Sequence, residues 1–362
     1  MSRIVGHLDL DYFYAQVEEV EEPSLKDIPV VVCVFSGRTA ESGVVSTSNY
    51  KAREHGIKSG IPIAVAKKRL DGVKSAFIPM DRGKYEVYSD RVMDVLRSEV
   101  DVLEQTGIDE AFFEITKRSR ADYDLATRVA RGLKDRLVGQ EGLSCSVGIG
   151  PNKLIAKMAS DFEKPNGLTV VRDEETSTFL LRMNVERIYG VGPKTAKLLE
   201  EEGITTVPDL ASVPLERLDD LLGRKLAIYL HNASKGLDDE PVADRGGISQ
   251  LSRIITLKRD TGDLGQILVE LLPALKDLHE KLISKNLFFR NVSAIGILKD
   301  FSIHTRSKTL ETPTNDYSVF EVEARGLFGQ LLREVGEVRR AGVRIGDLQD
   351  MANQRSLTEF TS

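Results

Sequence analysis

The stretch His7-Leu8-Asp9-Leu10-Asp11-Tyr12-Phe13-Tyr14 decides how this chain is read. Ile4 to Leu10 is an apolar strand pattern carrying one carboxylate, and Tyr12 to Val20 begins a helix. A charge near the end of a buried strand is costly unless it is paired or bound to a metal ion, which weighs against reading Asp9 as a mere cap or first-turn charge. Asp11 stands where the helix begins and reads as a cap or first-turn charge.

A second acidic pair, Asp109-Glu110, lies between Val102 to Gln105 and Ala111 to Ile115, two strand-like runs flanking a turn around Gly107. Adjacent carboxylates repel unless a cation sits between them or solvent screens them. If the sheet brings Asp109 to Asp9, the oxygen-rich cluster suits Mg²⁺. Two such ions about 3.5–4 Å apart can activate a 3′-hydroxyl and stabilise a leaving pyrophosphate. Three carboxylates alone do not single out that chemistry.

The rest of the chain frames these residues. Its 362 residues exceed one ordinary core and suit two to four domains. No apolar run approaches the roughly 18 residues of a bilayer span and no signal peptide opens the chain, which predicts a cytoplasmic protein. Cys33 and Cys145 sit in apolar runs and read as buried strand thiols rather than a disulfide or zinc site. The net charge of −6 hides an asymmetry: Arg245 to Gly346 holds 16 Lys and Arg against 12 Asp and Glu, the remainder 34 against 44. A basic module on an acidic body suits a protein that grips phosphates in one place and metal ions in another, although ordinary surface variation produces the same pattern.

Further strands are read at Pro29 to Phe35 and Leu143 to Ile149, with helices at Thr47 to His55, Val87 to Val100 and Tyr123 to Val138. Short helices punctuated by Pro193, Pro208 and Pro214 fill Asp173 to Leu237, and the polar Leu237-Asp238-Asp239-Glu240-Pro241 begins a linker. The C-terminal module reads β-α-β-β-α-β over Leu251–Leu257, Leu264–Ile283, Val292–Leu298, Ser302–Leu310, Tyr317–Leu332 and Glu337–Ile345. Residues after Ile345 are too polar to pack and are expected to form a tail. Gly148-Ile149-Gly150-Pro151 and Gly190-Val191-Gly192-Pro193 are both turns entering helices, and neither has P-loop spacing.

Four segments, in order, resemble Y-family DNA polymerases, above all the DNA polymerase IV (DinB-like) branch and its archaeal members. Asp9-Leu10-Asp11-Tyr12-Phe13-Tyr14-Ala15-Gln16-Val17-Glu18 is similar to the family's first motif, and Ser46-Thr47-Ser48-Asn49-Tyr50-Lys51-Ala52-Arg53 to its fingers motif. Gly107-Ile108-Asp109-Glu110-Ala111 resembles the second acidic motif. Ser146 through Lys153 and Lys164-Pro165-Asn166-Gly167 resemble the segment that closes the palm. The ordered set is far more specific than any one segment, and the resemblance continues over nearly the whole chain.

That resemblance implies an α+β multidomain right hand. The palm would be residues 1–11 and 80–168, the fingers 12–79, a helical thumb 169–237, a linker 238–247, a little finger 248–346 and a tail 347–362. It implies low-fidelity, template-directed synthesis across lesions, with no room left for a proofreading exonuclease. Asp9, Asp109 and Glu110 would be catalytic and, with the Leu10 carbonyl, would hold two Mg²⁺, for which Mn²⁺ would substitute. Tyr14 would be the steric gate against a ribose 2′-hydroxyl. Thr47, Tyr50, Arg53 and Lys164 would bind the dNTP with Tyr14, and Arg and Lys donors suit phosphate oxygens. Gly43 and Val44 would lie near the nascent base pair. Taken singly, Tyr14 reads equally as a core aromatic, Arg53 as a solvated helix charge and Lys164 as a loop lysine.

Gly190, Gly192 and Lys194 fall in a helix-hairpin-helix pattern, whose turn presents backbone N–H groups to a DNA phosphate. Arg253, Arg339 and Arg340 are candidates to line primer-template DNA from the little finger, with Lys258, Arg259, Arg306, Lys308 and Arg344 beside them. Gln354, Leu357 and Phe360 resemble the tail peptide by which replication proteins dock on a sliding clamp, although Thr361 stands where a second aromatic is usual. The expected form is a nucleoid-associated monomer. The rival readings are a non-catalytic DNA-binding scaffold and a nucleotide cyclase; the three carboxylates weigh against the first, and the Lys164 segment and C-terminal module against the second.

Overall fold

The computed structural model describes residues 3–244 and 248–350. β1 (Val5–Leu10) and α1 (Phe13–Glu21) lead to β2 (Val30–Phe35), β3 (Gly43–Ser48), α2 (Tyr50–Glu54), α3 (Ile63–Arg69) and β4 (Ala76–Pro79). Next come α4 (Arg82–Glu99), β5 (Val102–Gln105), β6 (Glu110–Glu114), α5 (Tyr123–Glu141), β7 (Cys145–Gly150), α6 (Lys153–Ser160) and β8 (Leu168–Val170). α7 (Thr176–Leu180), α8 (Pro193–Glu201), α9 (Val207–Ser212), α10 (Leu215–Leu222) and α11 (Arg224–Ala233) make the short-helix region. β9 (Gln250–Thr261), α12 (Leu264–Ser284), β10 (Leu287–Ile297), β11 (Ile303–Thr314), α13 (Tyr317–Val335), β12 (Val338–Gly346) and β13 (Gln349–Asp350) complete the order. No described helix is long and apolar enough to cross a membrane.

The chain forms two compact units. The first gathers residues 1–32, 46–59 and 69–245, the second 33–45, 60–68 and 246 onward. In the first, a five-stranded sheet runs β5-β6-β1-β7-β8, with β1 antiparallel to both neighbours. Strand periodicity divides β1 cleanly. Leu8 and Leu10 enter a core with Val92, Met93 and Leu96 of α4 and Ala126, Ala130 and Leu133 of α5. Val5, His7 and Asp9 face the other way: Val5 packs with Ala156 of α6, and His7 and Asp9 meet Ser160 and Lys157. α6 sits close because β7 carries Gly148, where a Cβ would fall 2.1 Å from the Ala156 carbonyl oxygen. Asn152 caps α6 by accepting from the Ile155 amide, 2.9 Å.

Two readings of local structure in the first unit need correction. Thr47 is not helical but lies on β3, and the helix starts at Tyr50 after Asn49, whose side chain accepts from the Ala52 amide. Ser, Thr and Asn favour both a strand end and a cap, so the pattern leaves that boundary open. Asp11 does not cap α1. The N-cap residue is Tyr12, in the left-handed region with no side-chain cap bond, and Asp11 is buried.

The short helices α8 to α11 close around Leu199, Leu210, Leu218 and Leu230. The segment after them is polar yet not loose. Val242 is buried with Val5 and Phe112, Asp238 accepts from the Leu154 amide, and Ala243 donates to Glu104.

The second unit contains the β-α-β-β-α-β order, as an antiparallel sheet β11-β10-β12-β9 with α12 and α13 packed on it. Val292, Ala294, Ala341, Val343 and Ile345 face those helices. The chain beyond Ile345 is not wholly a tail: Gly346 ends β12, and Gln349 and Asp350 pair with Phe288 and Leu287 of β10. Leu348 packs on the core between them, and backbone pairing of an edge segment needs no other apolar residue.

Candidate active site

Asp9 and Glu110 are directly opposed across the β1–β6 ladder, and the Leu10 amide donates to the Asp109 carbonyl at 2.9 Å. The sheet therefore brings the first strand and the β5–β6 turn together at one end, with Asp9 and Glu110 on the α6 face. Two lysines meet them there. Lys164 Nζ is 2.8 Å from Asp9 Oδ1 and 2.7 Å from Asp161 Oδ1. Lys157 Nζ is 3.3 Å from Asp9 Oδ2 and 2.7 Å from Glu110 Oε2.

The carboxylates are poised differently. Burial, reinforced by Asp9 and Glu110, pushes Asp109 up to about 6. Glu110 is held at about 2 by the His7 imidazole first and, against its burial, by Lys157. At 3.5 Å the His7 Nε2 contact is longer than a formed hydrogen bond, and Nε2 has no other partner among the described residues, so the Lys157 contact is the firmer support. Burial lowers His7 and keeps its ring neutral. Burial works most strongly against the charge of Lys157 and Lys164, but Asp9 and Asp161 together, with Glu110 at Lys157, outweigh it and both stay above the ordinary lysine range.

Asp11 stands beneath the cluster. Its carboxylate accepts from Ser144 Oγ (2.8 Å), Ser146 Oγ (2.7 Å) and the Asn166 amide (2.9 Å). It thereby fixes the Lys164-Pro165-Asn166 turn beside Asp9. Burying a carboxylate with three donors is a far stronger requirement than a surface cap.

The nucleotide-side candidates gather in the same unit. Tyr14 projects from α1 and stacks on Tyr85. Tyr50 opens α2, packs edge-on against Tyr12, and lies under the Arg53 guanidinium at 4.7 Å. Arg53 Nε donates to the Ser48 carbonyl at 3.0 Å. Thr47 lies two residues before Asn49 on β3, and its side chain is half-buried. Lys157, His7, Asp161 and Tyr85 were not picked out from sequence. The one available signal was the spacing of Lys153, Lys157 and Asp161, which share a helix face.

An oxygen-rich set with cations already drawn to it fits Mg²⁺. Among the described residues, however, no three His, Cys, Asp or Glu side chains are grouped as they would be around one bound ion.

The DNA-side candidates separate by location. Gly190 is in the left-handed region against the Tyr229 ring, Gly192 precedes Pro193 at the start of α8, and Lys194 is exposed in its first turn. Arg253 pairs with Val343, faces the helices and forms an ion pair with Asp277 of α12. Arg306 and Lys308 likewise pair with Glu334 and Glu323 of α13. Arg340 and Arg344 alternate with the helix-facing Ala341 and Val343, so they lie on the opposite face. Arg339 is 3.9 Å from Asp260. Gly43 belongs to the second unit, where a Cβ would meet the Val34 carbonyl at 2.2 Å. Gln354, Leu357 and Phe360 lie outside the described residues.

Comparison with known proteins agrees along the whole chain. The impB/mucB/samB family profile matches residues 8–161, its C-terminal domain 248–358, and a profile described as the DNA polymerase-iota thumb domain 186–238. A DNA polymerase IV of Nitrosopumilus maritimus is 40% identical over 361 residues, covering 99% of each chain. One of Methanosarcina acetivorans is 43% identical over 367 residues, covering 99% of this chain and all of its own. Among solved structures, a Y-family DNA polymerase chimera superposes with TM-score 0.89 at 33% identity over 96% of this chain and 99% of its own. An insertion ternary complex of Dbh DNA polymerase superposes at 0.73, with 34% identity and the same coverage. With relatives this similar along their full length and a carboxylate cluster where the first strand meets the β5–β6 turn, the chain belongs to the Y family of DNA polymerases.

Proposed function

We propose that this chain extends a DNA primer on a template at low fidelity in translesion synthesis, through Asp9, Asp109 and Glu110. The observation that carries the site assignment is the registered opposition of Asp9 and Glu110, with the Asp109 backbone tied to Leu10. Residues 1–11 and 80–168 act as palm, 12–79 as fingers, 169–237 as thumb and 248–346 as little finger, joined by the linker 238–247.

Asp9, Asp109, Glu110 and the Leu10 carbonyl would hold two Mg²⁺ or Mn²⁺ ions. Such ions activate the primer 3′-hydroxyl and neutralise the leaving pyrophosphate. Lys164, Arg53 and Tyr50 hold the triphosphate with Thr47, each supplying donors to phosphate oxygens. Tyr14 excludes a 2′-hydroxyl. Gly190, Gly192 and Lys194 take a DNA phosphate at the start of α8. On the little finger, strand parity favours Arg340 and Arg344 over Arg253 as backbone contacts, with Arg339 beside them.

Asp109→Ala should abolish primer extension while leaving DNA affinity near normal, because the carboxylate serves chemistry and DNA is gripped elsewhere. Retained turnover removes the assignment and favours the scaffold reading. The protein works as a nucleoid-associated cytoplasmic monomer, tethered to a sliding clamp by Gln354, Leu357 and Phe360. Tethering raises the local concentration of a weakly held polymerase. Deleting residues 353–362 should spare basal extension and remove stimulation by the cognate clamp; equal stimulation of the truncated enzyme rules out the tail.

A further inference from the structure

We propose that Lys157 is a built-in counter-ion of the carboxylate cluster, holding Asp9 and Glu110 together before metal arrives and giving way when metal binds. It then sets the metal concentration at which the site fills. The inference rests on the polymerase reading of Asp9, Asp109 and Glu110, and it makes Lys157 a positioning residue.

The ammonium bridges the two opposed carboxylates, one from each strand. Its contacts at 3.3 Å to Asp9 Oδ2 and 2.7 Å to Glu110 Oε2 use one oxygen of each carboxylate, and Asp161 lies 3.9 Å away. The side chain is only 12% exposed, so solvent screens these contacts little. It is also aimed. Ser160 Oγ donates to the Lys157 carbonyl at 2.8 Å and is itself 2.9 Å from His7 Nδ1 on β1. The missing Cβ of Gly148 lets this turn of α6 settle on the sheet.

An Mg²⁺ ion needs carboxylate oxygens at about 2.0–2.1 Å. Two of the available oxygens are turned toward Nζ. A divalent ion drawing on them would stand within a few ångströms of a positive charge, and that repulsion opposes loading. Without metal, the same charge offsets the mutual repulsion of the carboxylates. Lys157 therefore acts in opposite directions on the metal-free and metal-bound states. A purely structural lysine would act only on the first.

The test is Mn²⁺ binding to the full-length protein, read by the electron paramagnetic resonance signal of free Mn²⁺, with thermal unfolding in EDTA alongside. Lys157→Met should lower the metal-free Tm and tighten Mn²⁺ binding by at least about tenfold, since a unit charge a few ångströms away weighs at least that much. Lys157→Gln, which keeps a polar head, should tighten binding in the same direction. Lys157→Arg should return the affinity toward wild type. Unchanged or weaker Mn²⁺ binding in both neutral variants overturns the proposal even if Tm falls. Asp9→Asn in the wild-type background separates the two readings: it should abolish the binding, and wild-type affinity there would remove the metal-site reading itself.

Discussion

The ring of Tyr14 lies flat on the ring of Tyr85, with centroids 4.3 Å apart and planes 13° from parallel. Tyr85 is fully buried and its hydroxyl donates to Glu18 at 2.6 Å, so the surface behind the proposed gate is rigid. Tyr14→Ala should raise the ribo-to-deoxyribonucleotide ratio of kcat/KM at least about tenfold, because it removes a clash. Tyr85→Leu should raise it less, and Tyr85→Phe, which keeps the stack, least of all. Matched dNTP and NTP kinetics decide it, and an unchanged ratio in Tyr14→Ala ends the gate assignment.

The adjacent carboxylates Asp109 and Glu110 should respond to pH with opposite signs. Asp109 is raised to about 6 from an ordinary value near 3.9, so the folded state binds its proton more tightly. Stability is then lost as pH rises from about 4 to about 6, and stays lower above. Glu110 is held at about 2, so it contributes stability that is present above about 4.3 and lost as pH falls toward 2. In EDTA, Asp109→Asn should raise Tm at about pH 7.5, gain about half as much at about pH 5 and little at about pH 4, whereas Glu110→Gln should lower Tm at about pH 7.5. Equal shifts of one sign would contradict the different environments.

Asp11 should matter for stability far beyond a helix cap. Asp11→Ala leaves two serine hydroxyls and the Asn166 amide without their acceptor and should cost about 3 kcal/mol, against about 1 kcal/mol for a lost surface cap. Because Asn166 anchors the Lys164 turn, kcat/KM for dNTP should fall with it. Urea unfolding checks the first, and a loss under about 1 kcal/mol would show that the buried network is not what holds the turn.

What was legible in the sequence was what depends on periodicity and local cost. The single charge in β1 marked Asp9, and the apolar periods of the C-terminal module set its element order. What was hidden depends on which residues face one another. Lys157 is an ordinary helix lysine until Gly148 lets α6 lie on the odd face of β1. Arg253 and Arg340 look alike as basic strand residues until strand parity puts one on the helix face, paired with Asp277, and the other on the face opposite. Asp11 sits at a helix start in sequence, but a left-handed Tyr12 intervenes and turns its carboxylate inward.

The segment after the last thumb helix offers the sharpest test of packing against polarity. Lys153 Nζ is 2.9 Å from both oxygens of Glu104, their side chains only 8% and 4% exposed, and it sits 4.8 Å over the Phe112 ring. Glu240 joins at 3.4 Å and the Ala243 amide donates to Glu104 at 3.1 Å, so the buried pair pins residues 240–243. Removing one partner strands the other charge, so Lys153→Met should cost about 3–5 kcal/mol. Replacing both, as Glu104→Met with Lys153→Met, removes the stranded charge and should recover most of that loss. Yet the Ala243 amide still loses its acceptor, so its hydrogen exchange should be fast in the double variant although global stability has returned. The two readouts then part company: unfolding measures the core, exchange at Ala243 the grip on the segment. If Lys153→Met costs under about 1 kcal/mol, the pair is solvated in solution and does not pin the segment.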